Sequence, residues 1–226
     1  MKISEIFYSL QGEGLLTGMP SVFIRLSGCP LRCKWCDTKY AWDATAGTDY
    51  TLDKILESVQ KYNTDFVVIT GGEPLINPQL PALTHLLKSA SKHITIETAA
   101  VKFVSNLPCD LMSISPKLNN SAPLDPTLAA EHKAKCLNIE AIKSLVANYD
   151  YQLNFVVDAP DDIFEIEQTL KKIATADRKK VMLMPQAASK SELLEKSPLV
   201  TQICKDTGLM FSQRLHILRW NNAKGK

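Results

Sequence analysis

The sequence predicts an α/β fold, an incomplete TIM-type barrel of about six β/α units with an N-terminal extension. Strand-like and helical segments alternate along the chain, which is the pattern of a parallel sheet with helices outside it. The 226 residues are fewer than a full eight-fold barrel usually needs, roughly 250. The sequence contains no repeat, low-complexity tract or obvious linker, so we expect a single domain over residues 1–226. A doubly wound open sheet is the competing architecture.

The individual elements follow from hydrophobic periodicity. Strand-like runs cover residues 3–9, 21–26, 66–70, 94–98, 111–115, 152–158, 181–185 and 211–217. The first helix begins after Thr51, a suitable N-cap, and carries Leu52, Ile55 and Val59 on one face. Further helical patterns cover residues 79–91, 127–136, 139–148, 161–176 and 191–207.

Composition excludes several classes of protein. The net charge of +2 gives no reason to expect binding to nucleic acid or to a membrane surface. No stretch approaches the ~20 apolar residues that a membrane span needs. Glu5 and the segment 11–14 interrupt any apolar core of a signal peptide. We therefore expect a cytoplasmic protein, in a compartment that keeps thiols reduced.

The densest chemical signal is a group of three cysteines, Cys29, Cys33 and Cys36, spaced C-x3-C-x2-C directly after the strand 21–26. A cluster of four irons normally takes one thiolate on each iron, so three cysteines leave one iron without a protein ligand. An open iron can chelate a small molecule and pass it an electron. The loop also lies at the carboxyl end of a strand, where barrels and open sheets place their active sites.

Other interpretations of these cysteines stay open at this point. A structural zinc site needs four Cys or His ligands, and the nearest histidine, His85, is far along the chain. A disulfide framework is typical of secreted proteins, and nothing marks this chain as secreted. The remaining cysteines are isolated, and we expect each to be a small buried hydrophobic residue. They are Cys109, Cys136 and Cys204.

The cysteine spacing resembles that of the radical SAM enzymes. In that family the open iron binds S-adenosylmethionine (SAM), and one electron cleaves its sulfonium to give a 5′-deoxyadenosyl radical. The resemblance implies a [4Fe-4S] cluster and SAM as cofactors, and it implies the partial barrel. Because the cofactors carry the chemistry, no side chain is assigned a catalytic role beyond them.

A second motif strengthens the resemblance. Residues 70–74 read T-G-G-E-P and follow a buried strand, where glycines allow the backbone to approach a ligand closely. Taken alone, this segment is more simply a strand-ending turn. The radical SAM family uses G-G-E-P against the methionyl amino group, so the resemblance implies that Gly72 contacts SAM. It implies further SAM contacts at Ser115, Pro116, Lys117 and Gln186.

The N-terminal segment narrows the resemblance. Residues 9–14 read S-L-Q-G-E-G, and residues 36–42 read C-D-T-K-Y-A-W. Together with Leu215-His216 near the C-terminus, they are similar to the 7-carboxy-7-deazaguanine synthase family. Activating enzymes for glycyl-radical proteins share the cysteines but generally lack the S-L-Q-G-E-G opening. They are the alternative class of enzyme, and a zinc-binding module is the non-enzymatic alternative.

The family resemblance implies a substrate and its contacts. The substrate is 6-carboxy-5,6,7,8-tetrahydropterin, which loses ammonia as its ring contracts to the deazapurine core of queuosine. Arg25 is expected to pair with the carboxylate, with a surface salt bridge as the alternative. His216 is a further expected contact, although a lone histidine is more often structural. The remaining expected substrate contacts are Leu10, Gln11, Gly12, Glu13 and Thr70.

The resemblance also implies a magnesium ion and partners. Thr38 occupies the position at which the family holds Mg²⁺, an ion that keeps several waters and relies on substrate oxygens. The alternative is a threonine that caps the following turn. An electron donor such as flavodoxin or ferredoxin and a homodimer are implied by the resemblance alone.

Overall fold

The computed structural model describes residues 1–221 and 223–226, and within them nine strands and seven α-helices. The strands are β1 (Lys2–Leu10), β2 (Pro20–Leu26), β3 (Thr48–Asp49), β4 (Phe66–Gly71), β5 (His93–Thr98), β6 (Leu111–Ile114), β7 (Tyr151–Val157), β8 (Val181–Pro185) and β9 (Met210–Phe211). The helices are α1 (Leu52–Gln60), α2 (Leu80–Ser89), α3 (Pro126–Lys133), α4 (Ile139–Asn148), α5 (Asp162–Ile173), α6 (Lys190–Thr207) and α7 (Leu215–Trp220).

The strands form one sheet in the order β3-β1-β2-β4-β5-β6-β7-β8-β9. From β2 to β9 every neighbouring pair is parallel, whereas β1 is antiparallel to both β2 and β3. Parallel neighbours need crossover connections. Helices lie in all of these connections (α1, α2, α3 with α4, α5 and α6) except the one from β5 to β6, where residues 99–110 contain no helix. The antiparallel pair β1–β2 is the N-terminal extension that the sequence predicts.

The strand register brings the functional loops to one edge of the sheet. Arg25 lies beside Thr70, and Leu26 beside Gly71, so β2 and β4 end at the same level. Ser115 then donates its backbone N–H to the carbonyl of Thr98 at 2.8 Å, which continues this edge from β5 to β6. The carboxyl ends of parallel strands therefore meet, as expected for a site in such a sheet.

Apolar burial stabilises the sheet between its helices. Ile24, Ile69 and Ile96 come from three neighbouring strands and are 0% exposed. Each such side chain contributes about 1.5–3 kcal/mol by leaving water. Helix α1 packs through Ile55, and its expected N-cap is present, since the Thr51 side chain accepts from the backbone N–H of Lys54. A cap of this kind is worth about 1 kcal/mol.

One predicted element is wrong. Residues 211–217 were expected to form a strand, but β9 ends at Phe211 and Leu215–Trp220 is helix α7. The alternation of apolar and polar residues there does not reflect a sheet. Arg214 turns inward to meet two carboxylates, and its carbonyl accepts from the N–H groups of Ile217 and Leu218 to start the helix. The two-residue strand β3 has too little apolar pattern to be predicted.

The helices of the described residues include none with the length and apolar character that a membrane span requires.

Candidate active site

A single cleft at the carboxyl edge of the sheet collects nearly all of the predicted site residues. Its lining includes Leu10, Gln11, Gly12, Glu13, Arg25, Cys29, Cys33, Cys36, Thr38, Thr70, Gly72, Ser115, Lys117 and His216. Pro116 and Gln186 are outside this lining. Gln186 instead accepts a hydrogen bond from Lys196 Nζ at 2.8 Å.

The three motif cysteines form a partly buried floor of this cleft. Cys33 is 6% exposed, and Cys29 and Cys36 are half-buried beside it. The start of the loop is held by the segment that follows it, because Cys29 donates its backbone N–H to the carbonyl of Trp42, just after the short helical turn Lys39–Ala41, at 3.0 Å. Burial raises the pKa of the Cys29 thiol to about 11 and that of Cys33 to about 12. Metal binding must therefore displace protons from these thiols.

The spacing of the thiols bears on the zinc interpretation. Over residues 1–221 and 223–226, no three Cys, His, Asp or Glu side chains are grouped so as to hold a single metal ion. A structural zinc site needs four Cys or His ligands, whereas Cys29, Cys33 and Cys36 supply three thiols, the number that leaves one iron of a four-iron cluster open.

Two glycines let the second motif pack against the cysteine loop. Gly72 donates to the Leu26 carbonyl at 3.0 Å, and a Cβ at Gly72 would overlap the Gly28 carbonyl oxygen. Gly71 has φ +137°, and a Cβ there would overlap the backbone of Leu26. The glycines thus bring the end of β4 directly beneath the loop that carries Cys29.

Glu73 of the same motif is a structural residue of the rim. It is 1% exposed and accepts from Thr98 Oγ1 at 2.5 Å and from the backbone N–H groups of Leu75 at 3.0 Å and Ala99 at 2.7 Å. Burial raises the pKa of this carboxyl, against the effect of these hydrogen bonds. Glu73 therefore ties the end of β4 to the end of β5.

The inner wall of the cleft carries an unpaired acceptor. Asn154 on β7 is 2% exposed, and its Oδ1 has no hydrogen-bond partner among the described residues. Its Nδ2 reaches Ser113 Oγ on β6 at 3.4 Å. An unpaired buried acceptor costs about 1–3 kcal/mol, so this atom fits a ligand that brings a donor into the cleft. A nucleoside with free hydroxyl and amino groups, such as SAM, supplies donors of that kind.

The opposite wall is strongly charged. Arg25 donates from Nε to Glu5 Oε1 at 2.7 Å, and Tyr40 donates to the same oxygen at 2.5 Å. The terminal nitrogens of Arg25 make no hydrogen bond within the described part of the chain. Arg25 is therefore a buried ion-pair residue that keeps one edge of its guanidinium toward the cleft.

Arg214 joins two separate loops of this wall. Its Nε donates to Glu13 Oε1 and its Nη2 to Asp37 Oδ2, both at 2.9 Å. The guanidinium is 8% exposed. Burial alone would raise the pKa of Asp37, but the charge of Arg214, together with that of Arg25, holds it below its usual value. The clasp fixes the segment before β2 against the segment after Cys36.

His216 and Gly12 are in contact. A Cβ at Gly12 would overlap His216 Nδ1, and the Gly12 carbonyl accepts from the Leu215 N–H at 2.8 Å. Burial lowers the pKa of His216, while the Glu13 carboxylate opposes the shift. The His216 imidazole is therefore neutral near pH 7 and forms an uncharged part of the cleft wall.

Several residues of the site escape sequence reasoning. Glu97 accepts from Gln11 Nε2 at 3.0 Å, and Thr70 also lies on the lining of the same cleft. An acidic residue inside the apolar strand β5 is a pattern in the sequence that indicates a functional position. Glu5 and Arg214 carried no such signal, since each resembles a surface charge until its distant partner is known.

Glu97 gives a prediction about pH. Burial, and then the nearby Glu13 carboxylate, raise its pKa above the ordinary 4.5. The folded state thus binds a proton more tightly than the unfolded chain, so Glu97 lowers stability as pH rises through its folded pKa. Substitution Glu97→Gln should therefore increase the unfolding free energy at pH 7 relative to pH 4. Urea unfolding at both pH values measures this change. The same gain from Glu57→Gln, on the outside of α1, would contradict the assignment to Glu97.

The fold and site define a class of protein. Three cysteines on a loop at the carboxyl edge of a parallel sheet, packed on a G-G-E-P turn, are the arrangement of a radical SAM enzyme, and residues 23–117 match the radical SAM superfamily model. The superfamily uses a [4Fe-4S] cluster and SAM, which this site therefore implies.

Similarity to characterised proteins specifies the family. The chain is 40% identical to the 7-carboxy-7-deazaguanine synthase of Halobacterium salinarum, over 99% of this chain and 91% of the relative. It is 41% identical to the synthase of Rhodopirellula baltica, over 99% and 88%. The crystal structure of QueE from Escherichia coli superposes with a TM-score of 0.72 at 29% identity, covering 95% and 94%. The chain belongs to the 7-carboxy-7-deazaguanine synthase family, and the predicted partial barrel is confirmed.

Proposed function

We propose that this protein converts 6-carboxy-5,6,7,8-tetrahydropterin to 7-carboxy-7-deazaguanine with loss of ammonia, in queuosine biosynthesis. The observation that carries the proposal is that the S-L-Q-G-E-G segment and the cysteine loop line the same cleft. They are clasped there by Arg214 through Glu13 and Asp37.

The cofactor side of the cleft has a defined set of residues. Cys29, Cys33 and Cys36 would hold the [4Fe-4S] cluster, and Gly72 would lie against SAM. When bound, these cofactors supply a 5′-deoxyadenosyl radical after one-electron reduction by a flavodoxin- or ferredoxin-type donor. Lys117 lowers the pKa of both Cys29 and Cys33, in opposition to burial, so its charge favours thiolates at this end.

The charged wall suits the substrate carboxylate. Arg25 would use its free terminal nitrogens for the carboxylate, while Glu5 and Tyr40 orient the guanidinium from behind. Charge-assisted pairs of this kind are the strong hydrogen bonds of a site. Since Glu5 is a permanent partner, Arg25 is buried without being an isolated charge.

The remaining polar groups suit the flat edge of a pterin. Gln11 and Glu97 are hydrogen-bonded to each other, Thr70 lines the same cleft, and Glu13 keeps a second carboxylate oxygen beyond the one bound to Arg214. Carboxylates in this position would accept from the amino and ring N–H groups of the substrate. The fixed donors and acceptors would hold the reacting ring in one orientation, which is how binding energy lowers a barrier.

Thr38 is the proposed protein ligand of Mg²⁺. Its hydroxyl makes no capping hydrogen bond to the following turn, Lys39–Ala41, and lies 3.7 Å from Cys36 Sγ. A hydroxyl that hydrogen-bonds to the Cys36 thiol and makes no capping bond suits an ion that takes its other ligands from water and from the substrate carboxylate.

Substitution of Thr38 tests the metal assignment. Thr38→Ala should raise the Mg²⁺ concentration needed for product formation by about tenfold. The variant loses one protein ligand of the ion, whose contribution we take to equal that of one hydrogen bond. Iron content should stay unchanged. Thr45→Ala, at an exposed threonine bonded to Asp43, is the matched control. An unaltered Mg²⁺ response in Thr38→Ala would show that the ion binds elsewhere.

The reaction itself is tested by the fate of SAM. Loss of ammonia involves no net oxidation or reduction. The hydrogen atom that the 5′-deoxyadenosyl radical takes from the substrate can therefore be given back, and SAM can be regenerated. With anaerobically reconstituted protein and much less SAM than pterin, we expect many molecules of product for each SAM. Release of one 5′-deoxyadenosine per product would instead indicate consumption of SAM and an activating-enzyme type of chemistry. Size-exclusion chromatography in the same preparation tests the proposed homodimer.

A further inference from the structure

The loop between Cys29 and Cys36 is held from outside the cleft by two buried residues. Arg32 donates its backbone N–H to His132 Nδ1 at 3.1 Å, and Lys34 donates its backbone N–H to the Ser121 carbonyl at 2.9 Å. Arg32 and Lys34 are the immediate neighbours of Cys33. The peptide groups on both sides of this cysteine are thus fixed by His132 and Ser121.

The hydrogen bond between the two supporting residues has one possible donor. His132 Nε2 and Ser121 Oγ lie 2.8 Å apart, and Ser121 Oγ donates to the Leu118 carbonyl at 2.6 Å. A backbone N–H is always a donor, so His132 Nδ1 must be an acceptor. The imidazole is therefore neutral, with its hydrogen on Nε2 donated to Ser121 Oγ.

The fold gives His132 a dedicated position. It is 1% exposed and Ser121 is 0% exposed. Within α3, whose residues are all described, His132 is the buried side chain. The helix starts at the N-cap Asp125, which accepts from the Leu128 N–H at 2.9 Å. Helix α3 therefore holds the His132 side chain in a fixed place beneath the cysteine loop.

We propose that His132 is a positioning residue for the iron–sulfur cluster. Directly through the Arg32 N–H, and through Ser121, whose carbonyl accepts from the Lys34 N–H, it fixes the backbone that presents the Cys33 thiol. Its loss would leave a buried N–H unpaired and free the middle of the loop. The inference concerns cluster retention and does not depend on which substrate the cleft binds.

Two substitutions separate hydrogen bonding from packing. His132→Phe keeps the ring but removes the acceptor, whereas His132→Asn places an amide oxygen near the former Nδ1. After anaerobic reconstitution, His132→Phe should lose iron to a chelator roughly tenfold faster than the parent, the usual consequence of one unsatisfied buried donor. His132→Asn should recover most of the parental iron retention. The electron paramagnetic resonance spectrum of the reduced cluster should change in His132→Phe and return in His132→Asn.

The control is His85→Phe, at an exposed histidine of α2. Parental iron retention in His132→Phe, or equally fast loss in His132→Asn, would overturn the proposal. A separate measurement on the unmodified chain covers the case in which His132→Phe fails to fold. Nitrogen-15 NMR should find the His132 hydrogen on Nε2, and a hydrogen on Nδ1 would equally overturn it.

Discussion

Replacing Cys33 with alanine should remove most of the iron and all detectable SAM cleavage. Cys33 is the central and most buried of the three motif thiols, at 6% exposure, and its backbone is held on both sides. With two thiolates left, two irons of the cluster lack protein ligands, and a cluster of this kind is not retained. Anaerobic iron and sulfide analysis, with 5′-deoxyadenosine release under a chemical reductant, measures both losses.

Cys136 provides a matched control for this substitution. It is also 6% exposed and packs in the same small apolar cluster as Cys33 and Leu31. Cys136→Ala removes an equal volume from the same place without removing a ligand, so about four irons per chain should remain. Stoichiometric zinc without iron in the anaerobically purified parent would refute the cluster assignment.

Replacing Arg214 with methionine should lower kcat/KM for the pterin by about 10²–10³-fold. Methionine keeps much of the apolar volume but leaves the Glu13 and Asp37 carboxylates without their shared cation. Breaking a buried ion pair from one side costs about 3–5 kcal/mol, and because the Glu13 and Asp37 side chains are 24% and 30% exposed we expect the lower part, about 3–4 kcal/mol, which corresponds to that range. The substitution disturbs the arrangement of the loops that carry Glu13 and Asp37 and leaves the three cysteines in place. Substrate turnover should therefore fall while iron content stays close to the parental value.

The control for Arg214 is an exposed arginine. Arg178 pairs with Glu167 at 2.9 Å, but its side chain is 50% exposed. Arg178→Met should therefore change kcat/KM little, because surface pairs contribute about 0–1 kcal/mol. Arg214→Lys should lie between parent and Arg214→Met, since one ammonium cannot reproduce the forked contact. Equal loss of iron and of turnover in Arg214→Met would contradict a role confined to the loops.

Local sequence was sufficient for the parts of the site that lie close together in the chain. Cys29, Cys33 and Cys36 occupy one loop, and Gly72 follows a strand whose apolar run is unmistakable. The register of a parallel sheet then brings such loops together without further information, because every strand ends at the same edge.

The missing parts are long-range polar pairs. Glu13 and Arg214 are 201 residues apart in the chain, and Gln11 and Glu97 are 86 apart. Arg214 has no local pattern that distinguishes it from a solvated charge, and the motif that contains Gln11 and Glu13 does not indicate which distant residue each of them meets. Around Arg214 the local pattern was misleading as well, because alternating polarity at a buried turn has the same period as a strand.

The clasp made by Arg214 has a consequence for how the protein is made. Asp37 and Arg214 are separated by 177 residues, so the ribosome completes the cysteine loop long before the residue that locks its far side exists. A nascent chain carries the three thiols on a loop that is still open toward solvent. The contact between Asp37 and Arg214 can therefore form only after residue 214 has been synthesised, and until then the cysteine loop lacks this support.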